Sequence, residues 1–309
     1  MSTVGIVGLG AMGLPMALHL RKQGYAVWGC DLNEDATATL KEAGGDVASC
    51  PADAAAKCDT LLLMVVNGDQ AETVLFGSNG AASTMAEKGG LVIMGCTQPP
   101  AQATRTAERL VKQGAAVLDA PVSGGVVGAA GGTLTIMASG PEATFKRATA
   151  LFEVLGEHIH HVGEDYGQGS AVKMVNQLLA GVHIAVAGEA MALGAAAGID
   201  GQVMFDVFSK SAANSWMFSN RVPRMMEKTP AVASAVDIFV KDLGIVTDHA
   251  RRSAFPVPLA AAALQQFVAA SAMGIGAEDD SAVIKVYERL TGHAPERQAP
   301  ASKKTSDAS

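Results

Sequence analysis

The sequence lacks any sustained run of lysine or arginine, and its formal net charge is only -7 over 309 residues. Proteins that bind nucleic acid through its phosphates need clustered positive charge, so we expect no nucleic-acid partner. Charged residues make up 17% of the chain and hydrophobic residues 49%, a balance typical of a globular protein rather than a disordered one. The length allows two domains with separate cores.

Cysteine is scarce, and the thiols show no metal-ligand spacing. The four positions are Cys30, Cys50, Cys58 and Cys96. The N-terminal residues lack the succession of basic, apolar and small residues that marks a signal peptide, so we expect reduced thiols in a cytoplasmic protein. His158, His160 and His161 have no cluster of carboxylates or cysteines beside them, which favours a solvated strand end over a metal site.

Long uninterrupted hydrophobic runs are also missing. Polar residues or glycine break each apolar stretch well short of the roughly 20 residues that cross a bilayer. The sequence therefore predicts no membrane partner.

Short β-rich runs alternate with helical patterns through about residue 163, which predicts a doubly wound parallel sheet with helices on both faces. One run, residues 60–66, is apolar without alternation and belongs in the middle of the sheet. The predicted strands are 4–8, 26–31, 60–66, 91–95, 116–120, 133–139 and 158–162.

After Gly163 the composition changes to alanine, leucine, methionine and valine at helical spacing, which predicts an all-α second domain. Its first helix runs from about Gly169 to Ala197, roughly 40 Å at 1.5 Å per residue, long enough to join both domains. We expect domains at 1–164 and 165–293, followed by a disordered tail at 294–309.

The first thirty residues carry a strand, a glycine turn, a helix and a second strand that ends at an acid. Gly8 permits the tight turn, Gly10 lets a pyrophosphate approach the backbone, and Gly13 lets the helix pack on the strand. The phosphates then lie at the helix N-terminus. This order of elements predicts a Rossmann dinucleotide site. The other turn residues assigned to the cofactor are Leu9, Ala11 and Met12.

Asp31 indicates which dinucleotide binds. Its carboxylate can accept hydrogen bonds from a ribose 2′-hydroxyl and would repel a 2′-phosphate. Leu32, also assigned to the cofactor site, and Asn33 supply no arginine to neutralise such a phosphate. The sequence therefore favours NAD over NADP.

Three loops follow predicted strands, at the sheet edge where doubly wound folds bind ligands. The first is expected to line the cofactor through its backbone. The second contains Thr97, for which cofactor contact and a simple turn before a helix both remain open. The third offers a hydroxyl and two glycine amides to a carboxylate, or forms a plain flexible turn. The first loop comprises Met64, Val65 and Val66, and the third Ser123, Gly124 and Gly125.

Lys173 and Asn176 are three residues apart in the first turns of the long apolar helix and share a face. A buried ammonium is costly unless paired or used. One interpretation makes Lys173 a proton carrier; the other makes it a lysine that reaches solvent beside a capping amide. Lys241, in a later helix, is a surface lysine by default.

Together these segments resemble the β-hydroxyacid dehydrogenase family, which includes 3-hydroxyisobutyrate dehydrogenases, tartronate semialdehyde reductases and L-threonate dehydrogenases. The segments that carry the resemblance are 8–13, 119–125, 167–176 and 241–243, within a likeness from residue 3 to about 290. The resemblance implies that Lys173 is the catalytic acid/base and that Asn176 orients the substrate. It also implies that Ser123, Gly124 and Gly125 hold the substrate carboxylate and that Thr97 and Lys241 contact cofactor or substrate, which reverses the default for Lys241.

Within the family, segments 214–218, 237–242 and 278–285 look most like the L-threonate dehydrogenase branch. Asn214 and Ser215 would then meet the extra hydroxyls of a four-carbon sugar acid, while a helix cap before an aromatic core residue is the alternative.

The implied activity is NAD-dependent oxidation of a small hydroxy acid, with L-threonate to 2-oxo-tetronate (2-dehydro-L-erythronate) as first choice. Oxidation of 3-hydroxyisobutyrate and reduction of tartronate semialdehyde (2-hydroxy-3-oxopropionate) are the enzymatic alternatives. A non-catalytic nucleotide-binding scaffold is a third, against which the pair Lys173 and Asn176 argues, because a pure binder needs no proton carrier. The resemblance also implies a homodimer or homotetramer.

Overall fold

The computed structural model describes residues 3–297. The chain forms two compact units, Met1–Val175 and Asn176–Ser309. The first is an α/β unit; in the described part of the second, helices account for the regular structure apart from isolated bridge residues, among them the pair Ala235 and Asp279. The predicted fold class is confirmed. The division between the units falls inside the long helix.

Nine strands form one sheet in the described part of the first unit. The strands are β1 (Thr3–Val7), β2 (Ala26–Cys30), β3 (Asp46–Val47), β4 (Thr60–Leu63), β5 (Leu91–Met94), β6 (Ala116–Asp119), β7 (Val122–Ser123), β8 (Leu134–Ser139) and β9 (Gly156–Gly163). The helices are α1 (Gly13–Lys22), α2 (Glu34–Glu42), α3 (Pro51–Ala56), α4 (Gly68–Phe76), α5 (Ala82–Glu87), α6 (Pro100–Gln113), α7 (Gly125–Gly131) and α8 (Glu142–Leu155). The seven predicted strands are present, and β3 and β7, each of two residues, were not predicted.

The strands follow the order β3-β2-β1-β4-β5-β6-β8-β7, and β9 pairs with β8. Pairing is parallel from β3 to β6 and between β8 and β9, while β8 runs antiparallel to β6 and β7. The apolar strand β4 lies between β1 and β5, as predicted for a strand buried on both faces. The last residues of five neighbouring strands lie in one row: Cys30, Val7, Leu63, Met94 and Asp119. The loops after these strands therefore begin at the same sheet edge.

Alternate residues of the strands feed two hydrophobic cores, one on each face of the sheet. Ile6 packs in one core with Leu20 of α1 and Phe152 of α8. The other core contains Leu61 together with Met85 of α5. This arrangement is the doubly wound architecture that the alternating pattern predicts.

Helix α9 (Gln168–Ala196) begins in the first unit and continues into the second, within one residue of the predicted bounds at each end. The helices that follow are α10 (Gly201–Phe208), α11 (Trp216–Met225), α12 (Val236–Arg252), α13 (Pro258–Ala270) and α14 (Ile284–Thr291), with a π-helical turn at Ser271–Ile275 and a 3₁₀ helix at Asp280–Val283. A Cβ on Gly181 would lie 2.9 Å from the Leu243 side chain, so α9 and α12 pack closely.

A buried ion pair joins α11 to the 3₁₀ helix of the second unit. Arg221 donates two hydrogen bonds to the Asp280 carboxylate, at 2.6 and 2.9 Å. Burial raises the pKa of Asp280, and the Arg221 guanidinium opposes that rise. Asp279 accepts hydrogen bonds from Arg224 and from the Ala233 backbone. The acidic segment that pointed to one branch of the family thus has a packing role in this unit.

Two helices correct the expectation that every apolar stretch is too short to cross a bilayer. Two helices, Gln168–Ala196 and Pro258–Ile275, are long and apolar enough to cross a bilayer by length and composition alone, with mean hydropathies of 1.6 and 1.3. An expectation based on uninterrupted apolar runs does not detect helices whose polar residues are spaced apart. Core helices satisfy the same criterion, and 44% of the apolar window in the first helix is buried.

The predicted tail at 294–309 lies outside the described residues except for 294–297. Within those four residues Pro295 is buried. Arg297 pairs with Glu288 and donates to the Met225 carbonyl oxygen at 3.3 Å.

Candidate active site

The glycine turn after β1 has the geometry that its three glycines predict. Gly8 has φ +95°, donates its N–H to the Cys30 carbonyl at 2.9 Å, and would place a Cβ 2.7 Å from the Met64 backbone. A Cβ on Gly13 would overlap the Gly8 carbonyl oxygen. Only glycine fits at these two positions, because one backbone segment crosses directly over another.

Gly10 differs from its two neighbours in having space around it. It is exposed, and no heavy atom lies within 4 Å of the position that its Cβ would occupy. Helix α1 begins at Gly13, and the Met12 side chain makes no capping hydrogen bond to it. The first N–H groups of a helix attract anions when no side chain caps them. The turn therefore fits a dinucleotide pyrophosphate.

Asp31 is fixed at the end of β2 beside this turn. Its Oδ2 accepts the Leu9 N–H at 2.5 Å, and its Oδ1 accepts the Asn33 N–H at 2.8 Å. An ionised carboxylate has about four lone-pair sites, so two backbone donors leave capacity for ribose hydroxyls. Leu32 is fully exposed.

The loops after β4 and β5 start at the same sheet edge. Met64 donates its N–H to the Val7 carbonyl at 2.8 Å, and Val66 donates to the Gln70 side chain at 2.9 Å. Thr97 is half-buried and precedes Gln98, whose Oε1 is a buried oxygen without a hydrogen-bond partner in the described part of the chain. The structure thus brings the glycine turn, Asp31 and these two loops to one edge of the sheet.

The segment Ser123–Gly125 passes from β7 into α7. Gly124 and Gly125 have φ of +128° and +63°, a left-handed backbone that favours glycine. Gly125 is exposed with no heavy atom within 4 Å of its Cβ position. Open backbone amides of this kind suit the close approach of a carboxylate.

Lys173 lies in the second turn of α9 with only 6% of its surface exposed. This burial argues against a lysine that reaches solvent. The helix begins after Gly167, which has φ +90°.

The first turn of α9 is bonded to the ends of β6 and β8 through residues that were not among the predicted site residues. Asp119 accepts both the N–H and the Oγ–H of Ser170, each at 2.7 Å, and Gly169 donates its N–H to Ser139 Oγ at 2.9 Å. Burial raises the pKa of Asp119 to about 6, and the hydrogen bonds from Ser170 oppose the rise. An acid at the end of a buried strand was the available signal.

A polar network lies between α9 and α12 in the second unit. Asn176 Nδ2 donates to Gln177 Oε1 at 3.0 Å, and Gln177 Nε2 donates to Asp242 Oδ2 at 2.5 Å. The Lys241 ammonium donates to Asp242 Oδ1 at 2.6 Å, with 20% of the lysine side chain exposed. Asp242 therefore holds two of the predicted site residues, one directly and one through Gln177, and neither linking residue was predicted.

Asn214 and Ser215 have the hydrogen bonds of a helix start. Ser215 Oγ accepts the Phe218 N–H at 3.0 Å and caps α11. Asn214 donates to the Ser209 carbonyl at 2.9 Å and accepts from Ser219 Oγ at 2.8 Å. The capping alternative thus describes their contacts, and contact with substrate stays a prediction.

Among the described residues, no group of three or more histidine, cysteine, aspartate or glutamate side chains could hold a metal ion. His161 stacks on Phe145 with ring centroids 4.5 Å apart, and its Nε2 lies 2.7 Å from the Gly140 carbonyl oxygen.

An uncapped helix start with open backbone beside a strand-terminal acid is the geometry of a dinucleotide-binding Rossmann protein. Comparison with known proteins agrees. Residues 3–163 match the NAD binding domain of 6-phosphogluconate dehydrogenase, and residues 167–287 match the family described as NAD-binding of NADP-dependent 3-hydroxyisobutyrate dehydrogenase. The chain belongs to the 3-hydroxyisobutyrate dehydrogenase family of β-hydroxyacid dehydrogenases.

Relatives match along nearly their whole length. An L-threonate dehydrogenase from Cupriavidus necator is 49% identical, with 92% of this chain and 95% of the relative covered. One from Escherichia coli is 48% identical over 93% of this chain and 95% of the relative. The crystal structure of a 3-hydroxyisobutyrate dehydrogenase from Salmonella typhimurium superposes with a TM-score of 0.85 at 46% identity and covers 93% of this chain and 100% of that one. The predicted family, the class of enzyme and the NAD cofactor are confirmed.

Two glycine variants separate the two tasks of the turn. Gly10→Ala places a methyl group in open space, so we expect an unchanged melting temperature and an NAD affinity lower by about 10- to 100-fold, the effect of overpacking by 1–3 kcal/mol. Gly13→Ala overlaps the backbone and should lower the melting temperature itself. Thermal unfolding and NAD titration of both variants are the measurements. Equal melting temperatures for the two variants would contradict the assignment.

Cofactor preference depends on Asp31. We expect kcat/KM to be much higher with NAD than with NADP, because the carboxylate repels a 2′-phosphate. Asp31→Ser combined with Leu32→Arg should shift the preference toward NADP by removing repulsion and adding a phosphate partner. Leu32→Arg alone is the matched control and should shift it less, since the repulsion stays. Equal or better use of NADP by the wild type would refute this role.

Proposed function

We propose that the protein oxidises L-threonate to 2-oxo-tetronate (2-dehydro-L-erythronate) with NAD. The observation that carries the chemistry is the buried Lys173 on α9, one turn before Asn176. Relatives named L-threonate dehydrogenase at 48% and 49% identity support the choice of substrate.

The proposed reaction removes a hydride and a proton from one secondary alcohol. NAD, held by the glycine turn and Asp31, supplies the hydride acceptor. Lys173 takes the hydroxyl proton as the C–H hydride leaves, so the alcohol carbon becomes a ketone. Only the neutral amine can do this, and burial of an ammonium favours its neutral form.

Other residues hold the substrate in this proposal. The hydroxyl and amides of Ser123, Gly124 and Gly125 bind its carboxylate. Asn176 orients the reacting hydroxyl, and its hydrogen bond to Gln177 fixes the plane of its amide. The resemblance to the family assigns Asn214 and Ser215 to the remaining hydroxyls, and Thr97 and Lys241 to cofactor or substrate. Dependence on several placed polar groups would reject analogues that lack a hydroxyl.

We also propose a cytoplasmic homodimer or homotetramer. Leu179, Val186 and Leu193 lie seven residues apart on α9 and are 52%, 53% and 70% exposed. A seven-residue repeat places them on one side of the helix, and a stripe of this kind suits contact with a second subunit.

Oxidation of 3-hydroxyisobutyrate is the second candidate, and the Salmonella typhimurium structure at 46% identity favours it. Reduction of tartronate semialdehyde is a further alternative on the same scaffold.

Substrate preference separates these candidates. L-Threonate should give a higher kcat/KM than 3-hydroxyisobutyrate, which lacks the additional hydroxyls that the polar site residues would bind. NADH absorbance with both acids, and with tartronate semialdehyde in the reverse direction, is the measurement. Better turnover of 3-hydroxyisobutyrate would overturn the substrate while leaving the family unchanged.

Lys173→Ala should reduce turnover by roughly 10² to 10⁴, the share of a general base. NAD affinity should stay nearly unchanged, because the glycine turn holds the pyrophosphate. In the wild type, oxidation should accelerate with rising pH as the amine loses its proton, and this limb should vanish in the variant. Lys173→Arg is the matched control, since a guanidinium stays protonated and should also be inactive. A near-normal kcat with the same pH limb in either variant would remove Lys173 from the mechanism.

A further inference from the structure

We propose that Asp119 is a positioning residue for Lys173, because its buried carboxylate fixes the first turn of α9 and with it the place of the lysine amine. The inference rests on the proposed role of Lys173 as general base.

The attachment of this turn has two points on one residue. Ser170 gives both its N–H and its hydroxyl to the fully buried Asp119 carboxylate, one hydrogen bond to each oxygen at 2.7 Å. Gly169 adds a third bond, to Ser139. A Cβ on Gly169 would lie 2.5 Å from the Asp119 carbonyl oxygen, so the turn rests directly on the end of β6.

Helix geometry carries this attachment to the lysine. Ser170 and Lys173 are three residues apart and lie on the same face, with their Cα atoms about 4.5 Å apart along the axis. A single hydrogen bond would leave the turn free to rotate about it, whereas two bonds to separate oxygens define both its depth and its rotation. A change at Asp119 would therefore alter the position of the amine. Misplacement of a reacting group by about 1 Å costs on the order of 10²-fold in rate.

If Asp119 acts through its hydrogen bonds, a variant that keeps their geometry should stay active. If it acts through its charge, that variant should be as inactive as one that lacks the side chain. An asparagine can accept the Ser170 N–H with its oxygen and donate to Ser170 Oγ with its amide nitrogen, so it keeps the two-point attachment without the charge. An alanine removes both. Ser170→Ala removes one bond and leaves the backbone N–H in place.

The experiment compares Asp119→Asn, Asp119→Ala and Ser170→Ala with wild type and Lys173→Ala. The control is Asp200→Ala. It removes the N-cap of α10, where the Asp200 carboxylate accepts the Val203 N–H at 2.9 Å, and leaves the hydrogen bonds of Asp119 and Ser170 in place. We expect kcat to fall about 10- to 100-fold in Asp119→Ala and about tenfold in Ser170→Ala. Asp119→Asn should keep kcat within about threefold of the wild-type value. The NAD affinity of every variant should equal that of the wild type.

A second measurement reports the amine without using activity. Trace acetylation by acetic anhydride, followed by peptide mass spectrometry, gives the reactivity of Lys173 relative to the exposed Lys146. That ratio should change in Asp119→Ala and Ser170→Ala, and should stay at the wild-type value in Asp119→Asn and Asp200→Ala.

The proposal would be overturned if a folded Asp119→Ala protein had both the wild-type kcat and the wild-type ratio of Lys173 to Lys146 acetylation. If that variant does not fold, Ser170→Ala decides by the same two readings. Equal loss in the asparagine and alanine variants would also overturn it, because charge rather than position would then be responsible. Wild-type turnover in Lys173→Ala would instead defeat the proposed function, and the labelling ratios would still test positioning.

Discussion

Hydrogen bonds to Asp119 and Ser139 hold the start of α9 against the ends of β6 and β8, and the rest of the chain continues from that helix. Ser170 and the Gly167 backbone donate to Asp119, and Gly169 donates to Ser139. A helix start normally leaves its first N–H groups without partners inside the helix. Here the sheet supplies those partners, so the rotation of the first turns of α9 is determined within the first unit. The direction of the Lys173 side chain depends on that rotation.

Parallel pairing explains how motifs far apart in sequence meet in the first unit. Because parallel strands end at the same edge, the alignment of Cys30, Val7, Leu63, Met94 and Asp119 places the residues that follow each of them along one line. The turn at Gly8, the acid at position 31 and the loops at 64 and 97 are all such residues. The register of the sheet therefore determines where the candidate site residues of the first unit meet, and each loop determines only which chemical groups it places there.

Local physics made much of this predictable. The tasks of Gly8 and Gly13 follow from backbone conformation and close approach, and the structure shows both. Strands of four or more residues and the long helix α9 were predicted from periodicity, which needs several residues to be visible. The two-residue strands β3 and β7 give no period, so sequence reasoning missed them.

The polar partners inside the site were not predictable from the sequence. Asp119 meets Ser170 across 51 positions, and Gln177 meets Asp242 across 65. An aspartate in isolation has many possible donors, and tertiary packing selects one. At Asn214 and Ser215 the observed hydrogen bonds are local ones at the start of α11, and contact with a substrate stays a prediction.

The charge on Asp119 links folding of this chain to protons in an unusual direction. Most acids in folded proteins are stabilised in ionised form, so acid weakens the fold. Burial instead raises the pKa of Asp119 to about 6 from an ordinary value of 3.8. Between those two values the folded chain binds more protons at this site than the unfolded chain does. The contribution of Asp119 to stability is therefore fully present below the lower value and is lost as pH rises through the higher one. At neutral pH the first turn of α9 is therefore bonded to an ionised carboxylate, although burial favours the protonated form of that group.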